Sequence, residues 1–271
     1  SFSVDEWVEA GLIRFGSMSH RVFKVVDRMA VKGMSALVTL ENSAEEFLRE
    51  NYIVPDVPAC VIRTSTDCRK YSPKVSSSDK ASTRFVHLGG ALFPYRVDIV
   101  LEFVRRYSED IGNASIHFFN EGQHDQLANA IEESKIDKSI VFVESVKHET
   151  VPGRLAEFDT GLIFIEPSPC RRVCSPTKLG EYLAAGLPVL ANKGIEVLHE
   201  IELKSGCVKT VNVEDGKSAF SKELIAEAHE FIKCDDLPER CQKVALEDFD
   251  VNKAVDLYYN LYCKLFYNLR S

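Results

Sequence analysis

The stretch SPTKLGEYLAAGLPVLA (175–191) contains a helix and the strand that follows it. Ser175 is a favoured N-cap residue, and Pro176 suits the first helical position because its missing N–H is not needed there. Gly186 is typical of a helix end, and Pro188 opens an apolar run without interrupting much strand pairing. The stretch therefore predicts a helix that leads directly into a buried strand.

The same alternation of strands and helices extends through most of the chain. The predicted strands are 83–88, 114–119, 139–143, 160–165, 187–191 and 207–211, and the other predicted helices are 97–107, 126–134, 151–158 and 221–233. Several of these strands are nearly all apolar instead of alternating, which is typical of a sheet covered on both faces by helices. The pattern predicts an α/β domain over 77–250, with a Rossmann-like doubly wound parallel sheet.

The flanking segments differ from this central domain. Residues 1–50 are predicted to be mainly helical, with a strand ending at 40 and a helix over 42–51, and 52–80 to be an irregular linker. We expect 1–76 to form a partial N-terminal α/β domain with its linker. The tail, 251–271, places Ala254, Tyr258, Leu261 and Leu265 on one helical face, which predicts a helix that packs back on the N-terminal segment.

Composition limits the classes of partner. The chain has 271 residues, 45% of them hydrophobic, and a net charge of −8. It therefore has no overall basic field for nucleic acid, and local cations must hold any anionic ligand. The eight cysteines have no disulfide-scaffold spacing and indicate reduced thiols in the cytoplasm. Cys170 and Cys174 form a CxxxC, but no nearby Cys or His pair completes a zinc site, so two loop thiols are favoured over a metal.

The start of the predicted helix after Ser175 is a candidate anion site. The free amides of Thr177 and Lys178 point out of the helix, and Lys178 adds a positive charge, so the site suits a phosphate. Glu181 lies on the same face and can accept two hydrogen bonds from a vicinal diol such as a ribose. The alternative is that Lys178 and Glu181 form an ordinary surface ion pair at i,i+3 spacing.

Two further features have competing interpretations. HLGGAL (87–92) has adjacent glycines after a strand but lacks the G-x-G-x-x-G pattern, which argues against a dinucleotide oxidoreductase. Arg171 and Arg172 either bind a phosphate, a sugar carboxylate or anionic lipid, or are solvated loop residues. Peripheral contact with a membrane surface is left open on this basis.

The stretch SPTKLGEYLAAGLPVLAN (175–192) resembles the donor-site signature of the retaining glycosyltransferases of family 4, which have the GT-B fold. The resemblance implies that Ser175, Pro176, Thr177 and Lys178 surround the diphosphate of a sugar nucleotide. It also implies that Glu181 binds the ribose.

FVHLGGALFPYRVDIVLEFVRR (85–106) resembles the first strand, glycine loop and helix of the C-terminal domain of that family. This resemblance implies that Gly90 is part of the donor site and that Arg96 contacts the diphosphate. The sequence departs from the family at Val173, where many members have a glutamate for the transferred sugar, and at Glu144, where a glycine beside the nucleobase is usual.

Residues 1–76 resemble only the second half of the acceptor-binding domain of the family. We therefore expect the chain to be a fragment or a truncated homologue. The histidine that the family uses on the catalytic side has no counterpart, and His20 is predicted to be structural.

The resemblance implies an enzyme that moves a sugar from a nucleotide diphosphate sugar to a hydroxyl of a saccharide or lipid-linked acceptor, with retention of configuration. Lys178 and Arg96 would stabilise the leaving diphosphate, with no cofactor and no metal. The alternative is a non-catalytic, nucleotide-binding partner subunit or regulatory module of the same fold.

Overall fold

The computed structural model of the chain describes residues 3–72, 82–213 and 220–268. Within these ranges the strands form two parallel sheets, one of six strands and one of two. The strands are β1 (Leu37–Thr39), β2 (Ala59–Val61), β3 (Thr83–Leu88), β4 (Ala114–Phe119), β5 (Val141–Glu144), β6 (Thr160–Ile163), β7 (Val189–Asn192) and β8 (Val208–Val211).

Helices connect these strands and cover the larger sheet. They are α1 (Ser3–Glu9), α2 (Met18–Lys32), α3 (Asn42–Asn51), α4 (Val97–Asp110), α5 (His124–Ser134), α6 (Val151–Leu155), α7 (Pro169–Arg172), α8 (Thr177–Ala184), α9 (Glu196–Ser205), α10 (Lys222–Ile232), α11 (Leu237–Val244) and α12 (Val251–Asn268). A π-helical turn over Ala245–Phe249 lies between α11 and α12.

The order of the larger sheet is β5-β4-β3-β6-β7-β8, with all neighbours parallel. The strand order reverses between β3 and β6, which creates the crevice where doubly wound sheets bind ligands. Among the described residues, two clusters of buried apolar side chains, contributed by the strands of this sheet and by the helices around it, form the core. The predicted Rossmann-like doubly wound sheet is therefore confirmed.

Some elements were not predicted from the sequence. The strand β2 lies inside the segment predicted to be an irregular linker, and it pairs in parallel with β1 from Leu37↔Ala59 to Thr39↔Val61. The helix α9 was also missed, although Val197, Leu198 and Ile201 bury one of its sides. A strand as short as β2 has little local signal, because its stability comes from the partner strand.

The segment before α12 joins the N-terminal part of the chain. The amide of Thr66 donates to the carbonyl of Phe249 at 2.9 Å, and the amide of Val251 donates to the carbonyl of Thr66 at 2.9 Å. Farther along α12, Leu261 is buried as the sequence predicts. Tyr258 was predicted to be buried with it but is 40% exposed, and its ring stacks on Tyr262.

The helix α8 is fixed to the sheet by the side chain of Tyr182. This ring is fully buried, and its hydroxyl accepts from the Leu88 amide at 2.8 Å and donates to the Val86 carbonyl at 3.2 Å. A Cβ atom at Gly161 on β6 would lie only 2.4 Å from the ring. Glycine at position 161 therefore allows the ring to pack against β6 while its hydroxyl reaches β3.

We expect Gly161→Ala to lower the free energy of unfolding by about 1–3 kcal/mol, because the buried ring of Tyr182 cannot move away from the added methyl group. Urea unfolding measures the change. Gly153→Ala is the matched control, since a Cβ atom there meets nothing within 4 Å. Equal midpoints for the two variants would show that the ring is not confined by β6.

Candidate functional site

A cavity of about 550 Å³ opens at the carboxyl ends of β3, β4 and β5 and at the start of α8. Its size is within the usual range for a small-molecule site. Its lining combines apolar side chains with polar groups from these elements: Leu88, Gly89, Gly90, Tyr95, Phe119, Asn120, Glu121, Gly122, Gln123, Val146, His148, Val151, Thr177, Lys178 and Glu181.

The helix α8 begins one position later than the sequence predicts. Pro176 occupies the N-cap and Thr177 is the first helical residue. Ser175 does not cap the helix, because its side chain and its carbonyl oxygen bond the hydroxyl of Thr64, at 3.0 and 2.8 Å. Of the predicted donor-site residues on this segment, Thr177, Lys178 and Glu181 line the cavity, whereas Ser175 and Pro176 are not among its lining residues.

Lys178 is a buried cation at the cavity wall. Its side chain is 5% exposed, and within the described part of the chain its Nζ has no hydrogen-bond partner. Nζ lies 3.7 Å from the centroid of the Tyr95 ring. Burial lowers the pKa of Lys178 to about 7, against a smaller opposing effect of the Glu181 charge. A lysine in such surroundings can take up or release a proton near neutral pH.

Glu181 lies one turn along the same helix and is also mostly buried. Burial raises the pKa of its carboxyl, while the charges of His148 and Lys178 act in the opposite direction. Its Oε1 lies 3.8 Å from Nδ1 of the exposed His148, which follows β5. Lys178 and Glu181 are therefore not the exposed surface pair that the alternative interpretation predicts.

The loop after β3 brings the backbone close to the cavity. Gly89 has φ +84°, a conformation that side-chain-bearing residues rarely adopt. Its amide donates to the Phe119 carbonyl at 2.9 Å, and the amide of Ala91 donates to Oε1 of Gln123 at 2.8 Å. The predicted site residue Gly90 lies between them and lines the cavity.

Arg96 occupies a different position from the cavity-lining residues. Its guanidinium bonds Asp98 at 2.8 and 2.9 Å and Glu166 at 2.7 Å. It is the residue before α4, and its predecessor Tyr95 is the one that lines the cavity. To bind a diphosphate, the guanidinium would have to leave these two carboxylates. The contact between Arg96 and a diphosphate therefore stays a prediction.

Sequence reasoning missed several cavity residues. Asn120 and Gln123 follow β4, and His148 follows β5. Because ligands of doubly wound sheets bind at the carboxyl ends of the strands, the position of these residues after predicted strands could have identified them. Glu144, at the position where the resembled family usually has a glycine, bonds His117 at 3.1 Å and Arg154 at 2.9 Å.

Within residues 3–72, 82–213 and 220–268, no group of three or more His, Cys, Asp or Glu side chains is arranged to hold a metal ion. Cys170 and Cys174 are both free thiols. None of the described helices combines the length and the hydropathy required to cross a membrane.

The burial of Lys178 makes stability depend on pH. Its pKa falls from the usual 10.5 to about 7 on folding, so between these values the unfolded chain binds more protons and stability rises with pH. We expect Lys178→Met to be more stable than the wild type below pH 7. That advantage should shrink by about 1.4 kcal/mol per pH unit between pH 7 and 10.5.

Denaturant unfolding across pH 6–10.5 measures this difference. Lys193→Met is the control, because it removes a lysine in the same way from an exposed position. A constant difference between Lys178→Met and the wild type would mean that the lysine titrates as it does in water.

Comparisons with known proteins gave matches among solved structures only. No protein-family model matches the chain, and no curated protein matches by sequence. Sucrose-phosphate synthase from Thermosynechococcus elongatus superimposes with a TM-score of 0.68 at 12% identity, over 99% of this chain and 67% of that one.

Two further solved structures are similar. WaaG, a glycosyltransferase involved in lipopolysaccharide biosynthesis, gives a TM-score of 0.64 at 17% identity, over 84% of this chain and 64% of that one. A glycosyltransferase from Rickettsia africae gives 0.67 at 12% identity, over 94% of this chain and 69% of that one.

The chain thus spans about two thirds of the length of these three structures, and it spans 48% of TarM, which it matches with a TM-score of 0.67. At these identities the likeness is one of fold. The chain has the Rossmann-like GT-B fold that these glycosyltransferases have.

Proposed function

We propose that the chain is a glycosyltransferase that takes its sugar from a nucleotide diphosphate sugar. The observation that carries the proposal is Lys178, a buried cation without a hydrogen-bond partner among the described residues, at the start of a helix that lines a ligand-sized cavity. Burying such a group costs free energy unless a ligand or neighbour compensates it. The fold, shared with solved glycosyltransferases, adds support.

In this proposal the first turn of α8 holds the diphosphate. The amides of Thr177 and Lys178 belong to the first turn, where helices leave amides unbonded, and they contribute the positive end of the helix dipole. The Lys178 ammonium adds a full charge. As the bond from sugar to diphosphate breaks, negative charge grows on the leaving oxygen, and these groups stabilise it.

Glu181 is the proposed partner of the ribose. It lies one turn after Lys178 on the same face of α8, and its carboxylate can accept hydrogen bonds from both hydroxyls of a diol. The apolar side chains of Phe119, Val146 and Val151 line the same cavity and offer a surface for a nucleobase.

The finer parts of the proposal come from the family resemblance. We propose transfer to a hydroxyl of a saccharide or lipid-linked acceptor with retention of configuration, and without a metal. Metal independence rests on Lys178 and the helix amides, which supply positive charge to the leaving diphosphate. Proton NMR of the first-formed product tests retention, because an inverted anomeric signal contradicts it.

The ribose assignment predicts that Glu181→Ala weakens the binding of a nucleoside diphosphate by about 1–3 kcal/mol, through loss of hydrogen bonds to a charged group. Calorimetry with UDP, GDP and ADP measures the effect. Glu149→Ala is the control, since Glu149 is exposed and does not line the cavity. The donor site is refuted if the wild-type chain binds none of the three.

The phosphate assignment predicts that Lys178→Ala costs more affinity for a nucleoside diphosphate than for the matching monophosphate, because the ammonium is assigned to the diphosphate. Equal losses for the two ligands contradict it. Arg96→Ala, measured in parallel, tests the sequence prediction for Arg96. If Arg96→Ala loses more affinity for the diphosphate than for the monophosphate, the guanidinium leaves Asp98 and Glu166 for the ligand. If the two losses are equal, Lys178 and the start of α8 alone supply the positive charge that binds the diphosphate.

Metal independence predicts that EDTA leaves sugar transfer from the sugar nucleotide unchanged. The measurement is the rate of nucleoside diphosphate release with and without the chelator, followed by addition of Mg²⁺ or Mn²⁺. Activity that disappears with EDTA and returns with either ion would show that Lys178 and the helix amides are insufficient for the leaving group.

A further inference from the structure

The ammonium of Lys178 meets an aromatic face instead of hydrogen-bond acceptors. Nζ lies 3.7 Å from the centroid of the Tyr95 ring, which is within the distance at which a cation is attracted to a π system. In the described part of the chain Nζ has no hydrogen-bond acceptor. An attraction of this kind is stronger when the cation is desolvated, as Lys178 is.

Other ionisable groups near Lys178 do not replace this contact. The groups that face Lys178 or its aromatic neighbour are His87 on β3, Cys174 before α8, and Glu181 and Tyr182 on α8 itself, with His148 and Tyr71 beyond Glu181. The pKa of His87 is lowered to about 3 by burial and by the Lys178 charge, so this imidazole is neutral at pH 7. Its Nε2 pairs with the carbonyl of Gly90 at 3.1 Å. Glu181 acts on Lys178 through its charge.

The Tyr95 ring is held in place from several sides. Cδ2 and Cε2 of the ring lie 3.4 Å from where a Cβ atom of Gly90 would be, and the His87 ring meets it edge-on at 5.8 Å. The Tyr95 backbone forms a bridge to Ile165, and its amide donates to the carbonyl of Leu92 at 3.0 Å. The ring is therefore part of the cavity wall, fixed by the loop that follows β3.

We propose that Tyr95 is the positioning residue for Lys178. The face of its ring holds the ammonium at the cavity wall in place of hydrogen-bond acceptors, and an anion that enters the cavity takes the ammonium from the ring. The first part concerns the ligand-free chain and stands by itself. The second part rests on the proposed function, since it requires an anionic ligand.

This arrangement explains how the site can exist without its ligand. A buried ammonium with neither water nor an acceptor is costly, and the negative face of the ring compensates part of that cost. The ring does so without a formal charge, so it does not compete with a phosphate as a carboxylate would. The ammonium is thus available to an anion at a smaller cost than breaking an ion pair.

The first experiment measures the ligand-free chain by NMR with lysine labelled at Cε, using Lys178→Arg to assign the signal. Protons on Cε that lie over the Tyr95 ring should show an upfield ring-current shift, and this shift should disappear in Tyr95→Leu. An unshifted signal in the wild type overturns the proposal, whichever variants fold.

The second readout is the titration of the same signal. We expect Tyr95→Phe to retain the wild-type midpoint, because phenylalanine keeps the aromatic face. In Tyr95→Leu the midpoint should fall by about one pH unit, a tenfold change in the protonation equilibrium. A midpoint that rises in Tyr95→Leu, or falls equally in both variants, overturns the proposal, since the ring would then act by excluding water or through its hydroxyl.

The third readout adds inorganic pyrophosphate to the labelled chain. Loss of the ring-current shift on binding supports the transfer of the ammonium from the ring to the anion, and binding without that loss overturns this second part. If pyrophosphate does not bind, the phosphate assignment of the proposed function fails, along with the second part of this proposal. The ligand-free measurements then still decide the role of Tyr95.

Discussion

The position of α8 depends on one buried side chain, Tyr182. Its hydroxyl bonds the backbone of β3 at Leu88 and Val86, and its ring lies against Gly161 on β6. These two strands flank the point where the strand order reverses. Tyr182 therefore holds α8 beside the crevice, with the first turn of the helix facing the cavity.

The electrostatics of the cavity follow from that placement. The first turn of α8 carries Lys178 into a site where water is largely excluded, and Glu181 follows one turn later. Burial favours the neutral form of both groups, which lowers the pKa of Lys178 and raises the pKa of Glu181. An anion in the cavity would favour the charged lysine, so ligand binding and protonation of Lys178 are linked.

Residues just after β2 are bonded to the segment that leads into α8. Thr64 bonds Ser175 just before the helix, and Arg63 bonds Glu41, which follows β1, and Glu200 of α9. Glu41 and Arg63 are largely buried, which makes such a pair costly to break on one side only. These contacts connect the small sheet of β1 and β2 to the start of α8 and to α9.

The sequence by itself determined the doubly wound sheet, because largely apolar runs such as 160–165 and 187–191 are local signals of buried strands. It also determined the helix with Lys178 and Glu181, since helix start signals and side-chain spacing are local too. Only the tertiary structure decided that Tyr95, and not its neighbour Arg96, faces the cavity. Adjacent residues of a loop point in different directions, and the choice depends on contacts with distant segments such as Phe164 and Glu166. The burial that lowers the pKa of Lys178 likewise comes from packing between β3, its loop and α8, which no single segment encodes.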